Sequence, residues 1–409
     1  MTAAGRAVAL EMDAADHLAP FRGRFLIPPG TIYMDGNSLG LLSRDGEAAL
    51  ARVTAEWKAK GIQGWLEGER PWLSYAEGLG AEVAPLVGAA ADEVVATGST
   101  TVNLHALARA FYEPGGERTK LLADDLTFPS DVYAVRSQVA LRGLDPARHL
   151  VLAPTREGRF LDEEGIVASM TGDVALAVLP SVLYRSGQLL DMARLTGEAR
   201  RRGIPIGFDC SHSVGVVPHR FDEWGVDFAF WCGYKYLGGG PGCPAFLYLN
   251  QRHFAREPAL PGWFGYRKDR QFEMRTEFEH QHGAGGWQIS SPSILGAAPL
   301  EGSLRIIREA GIGAIRAKSL EMTSYLMALA DETLCEAPHD FQIGTPREAE
   351  RRGGHVALEH ARSPAIFEAL TARGVIADLR PPNVIRVAPS PLYNTYEEIW
   401  QVVRHISEI

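Results

Sequence analysis

The sequence has little cysteine. Cys210, Cys232, Cys243 and Cys335 are the four, with no CxxC pair and no histidine at zinc-finger spacing. A disulfide framework and a structural zinc site are therefore not expected, and a reducing cytoplasm suits such thiols. No 18 apolar residues run together, so no membrane-spanning helix is predicted. The first residues carry Glu11, Asp13 and Asp16 without a continuous apolar centre, unlike a secretory signal. Basic residues form no block beyond Arg200-Arg201-Arg202 in a chain of net charge −9, which makes nucleic acid an unexpected partner. Repeats and low-complexity segments are also missing. What is present is an ordinary globular composition: 409 residues, 46% hydrophobic and 22% charged, enough for two domains and suited to a small-molecule substrate.

Through the middle of the chain, short apolar runs alternate with amphipathic stretches, as in βα units around a mostly parallel sheet. The pattern predicts a strand over Val174–Pro180, a helix over Leu189–Arg202 and a strand over Ile204–Asp209. Asp209 then ends a strand, where open α/β sheets hold their ligands. Another strand, Asp227–Cys232, runs into Gly233–Gly242, a loop too rich in glycine for helix or sheet interior. Lys235 lies in that loop. From about Gly302 the texture becomes Ala/Arg/Glu-rich helix, followed by short strands at His355–Glu359 and Val384–Val387. The expected fold class is α/β, with a large, mostly parallel sheet domain over 41–300 and a smaller α+β C-terminal domain over 301–409. A segment over 1–40 is expected to pack with the small domain.

Several residues in this frame carry chemistry, each with a bland reading beside it. Lys235 stands between Tyr234 and Tyr236 after an apolar run, yet alone it reads more readily as a solvated loop lysine. Asp209 lies 26 residues upstream, one βα connection away, and could equally be a helix N-cap. In Gly98-Ser-Thr-Thr-Val-Asn-Leu-His105, Thr100 and Thr101 open a helical pattern whose free N–H groups would attract a phosphate, although Ser/Thr there is usually only a cap. Phe128, in Thr127-Phe-Pro-Ser-Asp131, could cover a flat ring, though a lone Phe is more often core. His212 follows Asp209 by three residues. Arg386 sits in an otherwise apolar strand, where solvation is an awkward explanation and a bidentate carboxylate clamp suits it. A lysine for an aldehyde, an acid for a pyridine nitrogen, a ring cover and phosphate donors are the parts required by pyridoxal 5′-phosphate (PLP).

Longer segments sharpen this set. They are Met34-Asp-Gly-Asn-Ser-Leu-Gly40, Gly68-Glu-Arg-Pro-Trp72, Thr101-Val-Asn-Leu-His105, Phe128-Pro-Ser-Asp131, Gly207-Phe-Asp-Cys-Ser-His212 and Tyr234-Lys-Tyr-Leu237 with Gly240-Pro-Gly242. Gly262-Trp-Phe-Gly265, Ile385-Arg-Val-Ala-Pro389 and Pro391-Leu-Tyr-Asn394 complete them. In these segments, spread from residue 34 to 394, the chain resembles the kynureninase family. That family consists of fold-type I PLP enzymes related to the aminotransferase class V group.

The resemblance implies PLP as cofactor, a cytoplasmic homodimer with its site at the subunit interface, and hydrolysis of L-kynurenine to anthranilate and L-alanine, in tryptophan breakdown or in a biosynthetic use of anthranilate. It implies that Lys235 holds PLP, Asp209 faces the pyridine nitrogen and Phe128 covers the ring. Thr100, Thr101, Pro129, Ser130, Asp131, Ser181, His212 and Tyr234 would line the cofactor, and Trp263 and Ser291 would reach a phosphate across the dimer. Arg386 would take the substrate carboxylate, with Trp65, Asn37 and His105 shaping the aryl pocket and Tyr234 acting as acid or base. Trp65 stands where animal members carry His, and Ser291 where others have Asn or Thr. Both departures look bacterial in type and leave the choice between kynurenine and 3-hydroxykynurenine open. A cysteine desulfurase or selenocysteine lyase of the same fold would need a reactive thiol, for which Cys335 is the candidate. An aminotransferase and a PLP-binding regulatory module are the other readings.

Overall fold

The computed structural model describes residues 5–155 and 157–409. Seven strands form the large sheet: β1 (Val94–Ala96), β2 (Lys120–Asp124), β3 (Leu150–Ala153), β4 (Val174–Pro180), β5 (Ile206–Asp209), β6 (Phe228–Cys232) and β7 (Ala245–Leu249). Their order is β1-β7-β6-β5-β4-β2-β3. Pairs from β6 through to β3 are parallel, and β7 runs antiparallel to β6 and β1. Both faces of this sheet are covered, so its strands read as unbroken apolar runs. In β6, Phe228 and Phe230 enter one core layer, while Ala229 and Trp231 enter the other. Because β4, β5 and β6 are adjacent and parallel, Pro180, Asp209 and Cys232 all finish at one edge of the sheet.

A second, antiparallel sheet contains β8 (Gln342–Ile343), β9 (Val356–Glu359), β10 (Asp378–Arg380) and β11 (Val384–Val387), in the order β10-β11-β9-β8. Its core joins Ala9 and Met34 to apolar residues between Met322 and Ile406. The helices used below are α1 (Arg6–Ala14), α2 (Arg44–Lys60), α3 (Thr100–Phe111), α4 (Pro129–Leu141), α5 (Met192–Arg201), α6 (Ile294–Ala310), α7 (Ile312–Thr333) and α8 (Tyr396–Ser407). The two chain ends are tied together by charge. Asp13 accepts from the backbone N–H groups of Tyr396 at 2.7 Å and Glu397 at 3.0 Å, a cap for α8. Buried Lys318 donates to Asp16 at 2.7 Å and to the carbonyl of Pro391 at 2.6 Å. Among the described residues, no helix is long and apolar enough to cross a membrane.

Two helices begin elsewhere than their periodicity predicts. The helix expected from Leu189 starts at Met192, because Asp191 caps it by accepting from Arg194 N at 2.9 Å while Leu189 bridges to Val182. The helical texture expected from Gly302 starts at Ile294. Gly302 lies inside α6 where that helix presses on α2, and a Cβ there would stand 2.2 Å from the carbonyl carbon of Asp45.

Candidate active site

The ends of β4, β5 and β6 and the first turns of α3 and α4 surround a cavity of about 440 Å³, completed by residues of the small sheet. Lys235 enters it from the glycine-rich loop, with Nζ 3.0 Å from Nε2 of His212. His212 is buried, and that burial, reinforced by the nearby Lys235 and Arg386 charges, holds its pKa well below the ordinary histidine value. Burial thus favours the neutral ring, whose Nε2 faces the Lys235 amine. The loop is braced from the other end of the chain: Gly40 N donates to Tyr234 O at 2.8 Å. A Cβ on Gly40 would lie 2.4 Å from Lys235 O, so only glycine fits this approach.

Two carboxyl groups meet at the opposite wall. Asp209 Oδ1 accepts from Ser211 N at 2.8 Å, and Asp131, 4% exposed on the first turn of α4, faces the Asp209 side chain. Asp131 Oδ2 has no hydrogen-bond donor among the described residues. Burial first, and the Asp209 charge second, push Asp131 far above the carboxylate range. This setting favours the neutral form of Asp131, with the Asp209 side chain in front of it.

Between lysine and acids, Phe128 precedes α4 with its side chain 41% exposed, its ring edge-on to Tyr184 at 5.2 Å and 87°. Ser99 caps α3 by accepting from Val102 N, which leaves Thr100 and Thr101 at the first turn against the cavity. Free N–H groups at that turn favour an anion. The residues fit PLP: phosphate at α3, ring against Phe128, pyridine nitrogen toward the Asp131–Asp209 pair, and aldehyde at Lys235.

The remaining corner holds Arg386, fully buried in β11. Asp378 Oδ2 lies 2.6 Å from both its Nε and its Nη2, Nη1 donates to Tyr184 O at 2.6 Å, and Nη2 donates to Ser38 Oγ at 3.1 Å. These partners occupy both edges of the guanidinium. Arg386, expected to take a substrate carboxylate, thus stands at the cavity with its guanidinium held in place by Asp378, Tyr184 and Ser38. Asn37 is also buried on the cavity wall, with both amide atoms unpartnered among the described residues.

The cavity brings together Asn37, Thr100, Thr101, Phe128, Ser130, Asp131, Asp209, His212, Tyr234, Lys235 and Arg386. Other candidates lie outside its wall. Pro129 is the first residue of α4, and Ser181 is buried behind the cavity, bonded to Ser213 Oγ at 2.7 Å and Asp209 O at 3.0 Å. His105 Nδ1 is 2.8 Å from Gln138 Nε2, further along α3. Trp65 packs on Trp72 and Phe264 at 5.8 and 5.4 Å. Trp263, 49% exposed, touches Phe264 and Phe272, and Ser291 lines a separate cleft with Gly98 and Gly242. Ser38, Tyr184, Cys232 and Arg380 line the cavity without having been singled out in the sequence. Ser38 could have been found, since it lies within the Met34–Gly40 segment. Cys335 follows α7 beside Asp331, and burial together with that carboxylate raises its thiol pKa. A desulfurase nucleophile is not made there.

Solved structures share this architecture across nearly the whole chain. A cysteine desulfurase from Thermococcus onnurineus superposes with a TM-score of 0.79 at 18% identity, covering 95% of this chain and 97% of that one. One from Escherichia coli gives 0.79 at 17% identity, covering 96% and 98%. Fold and site together define a fold-type I, PLP-dependent enzyme of the aminotransferase class V group. Sequence comparison narrows the class. A kynureninase of Geobacillus thermodenitrificans is 54% identical over 401 residues, 98% of this chain and 93% of the relative, and one of Shouchella clausii is 50% identical over 97% and 92%. The Kynureninase C-terminal domain family matches residues 315–406. The chain belongs to the kynureninase family.

Proposed function

We propose that this protein hydrolyses L-kynurenine between Cβ and Cγ, giving anthranilate and L-alanine, with PLP held on Lys235. The observation that carries the reading is a buried, pre-positioned arginine, Arg386, in the same cavity as a lysine whose amine is held by a neutral histidine. Kynureninase relatives at 50–54% identity support it over nearly the full chain. Bound there, PLP supplies the sink for the electron pair left at the substrate Cα.

The chain's own residues do the rest. Arg386 and Ser38 receive the α-carboxylate, which sets Cα toward Lys235. The Lys235 amine removes the Cα proton, and neutral His212 fixes the direction of that amine. Asp131 keeps its proton and donates to Asp209, so one negative charge rather than two faces the pyridine nitrogen. Burial and Cys232 raise the Tyr234 hydroxyl above its usual value, so it stays protonated and serves as the acid at the Cγ carbonyl oxygen when water adds. The Cβ–Cγ bond then breaks, anthranilate leaves with the water oxygen, and Cβ gains a proton to become the methyl of alanine.

The same reading makes the protein a cytoplasmic homodimer. Trp263 and Ser291 of each protomer reach the phosphate bound in the other, and Trp65 approaches the aryl end through Phe264. The exposed Trp263, Met274 and Phe278 around one cleft, with exposed Phe272 against Trp263, support such a contact, and four free cysteines suit a reducing compartment. The test is purified holoenzyme with L-kynurenine, read by anthranilate fluorescence and alanine release, beside Lys235→Ala. Wild-type protein that binds PLP but forms no anthranilate refutes the activity. A Lys235→Ala variant that keeps the lysine-linked absorption band refutes the placement of the cofactor.

A further inference from the structure

Arg380 has no role in the mechanism above, although it lines the same cavity as Arg386, Ser38 and Tyr184. Both arginines come from one hairpin. The antiparallel register of β10 and β11 sets Asp378 directly across from Arg386, with Arg380 two residues along, across from Val384. Directly paired residues, and residues two apart, share a face, so Asp378, Arg380 and Arg386 project to one side. On its other edge Arg386 pairs with Ala357, too small to crowd it.

Asp378 Oδ2 accepts from Arg386 Nε at 2.6 Å and from Arg380 Nε at 2.7 Å. One oxygen thus fixes two guanidinium groups through their inner nitrogens. The outer nitrogens differ. Those of Arg386 are taken by Tyr184 and Ser38, whereas Nη1 and Nη2 of Arg380 donate to no described residue. Arg380 keeps 31% of its side chain exposed against 0% for Arg386, and its Cζ stands 5.8 Å from the Tyr184 ring, which meets Phe128 edge-on. A carboxylate arriving beside Arg386 finds its parallel N–H fork on Arg380, at the end of this aromatic row.

We propose that Arg380 binds the substrate α-carboxylate together with Arg386, and that Asp378 is the positioning residue that sets the spacing of the two guanidinium groups. The inference rests on the function proposed above.

The test compares wild-type holoenzyme with Arg380→Gln, Arg380→Lys and Asp378→Asn. L-Alanine and L-alaninamide are titrated against the absorption of the bound cofactor, and KM and kcat are measured with L-kynurenine. Arg380→Gln is expected to weaken L-alanine binding and raise KM by about 10- to 100-fold, with a far smaller fall in kcat. Alaninamide, which has no carboxylate, should bind the variant as it binds wild type. Arg380→Lys should recover part of the loss, and it carries the test if the Gln variant does not fold. Asp378→Asn should show the same split between KM and kcat. Equal L-alanine affinity in wild type and Arg380→Gln overturns the proposal, as does an equal loss for both probes or a wild type that does not distinguish them. Failure of the kynureninase reading is separate: wild type would then select alanine over alaninamide yet release no anthranilate.

Discussion

Asp131 offers a sharp test of the acid pair, because burial and the Asp209 charge favour its neutral form, which a carboxylate near neutral pH would not ordinarily adopt. Its side chain is 4% exposed, Oδ2 meets no donor, and the group in front of it is Asp209. Asp131→Asn replaces the O–H donor by an N–H donor of nearly the same shape. Asp131→Ala removes it. A hydrogen bond to a charged partner contributes about 1.5–3 kcal/mol, which is about 10- to 150-fold in an equilibrium constant. PLP titrated into apoenzyme, followed by the absorption of the bound form, should show Asn within about threefold of wild type and Ala weaker by the full factor. The pH dependence has a definite sign. A carboxyl whose folded pKa is raised gives its benefit at low pH and loses it as pH rises through that value, so wild type should lose PLP affinity at high pH while the Asn variant does not. If Asn is as damaging as Ala, Asp131 is ionised in the folded protein and the reasoning fails.

A second carboxyl pair, remote from the cavity, predicts a change in stability. Burial, then the Asp222 side chain, raise Glu93 from 4.5 to about 7, so its favourable contribution is complete below about 4.5 and is lost as pH climbs through 7. Asp222→Asn can still accept from Tyr248, now 2.8 Å away, and can donate to Glu93. It should raise the unfolding midpoint at pH 8, by the equivalent of about 1–2 kcal/mol, and leave it nearly unchanged at pH 5; a gain that is larger at pH 5 contradicts the assignment. Gly40→Ala forces a methyl to 2.4 Å from Lys235 O and 2.8 Å from Gly238 Cα, both backbone atoms. Overpacking of this kind costs about 1–3 kcal/mol, and thermal melts together with a shifted cofactor absorption band should register it. A fully stable variant with wild-type spectra would show that the loop does not need this brace.

The large sheet was legible because local signals agreed. Val174–Pro180 is an apolar run bounded by turn residues, and the glycines after Cys232 could form neither helix nor strand. Asp209, His212 and Lys235 follow from that frame, being placed by adjacent parallel strands. The carboxylate corner was not legible. Asp378 and Arg380 lie in a three-residue edge strand with no periodicity to read, and their relation to Arg386 exists only in the antiparallel register. The partners of Ser181 were equally hidden: it follows Pro180 at the strand end, and its hydroxyl is held by Ser213 and the Asp209 carbonyl. The start of α6 was hidden by Gly302, which marks a close approach between helices and not a helix end.

The bond from Arg386 to Ser38 spans 348 positions of sequence, and this gives the site a temporal order during synthesis. At translation rates of roughly 5–20 residues per second, the ribosome needs roughly 20–70 seconds to go from one partner to the other. In that interval the lysine, the acid pair and the phosphate turn can already be assembled, while the strand that reads the substrate does not yet exist. The Arg386 corner is the part of the cavity wall whose residues emerge last.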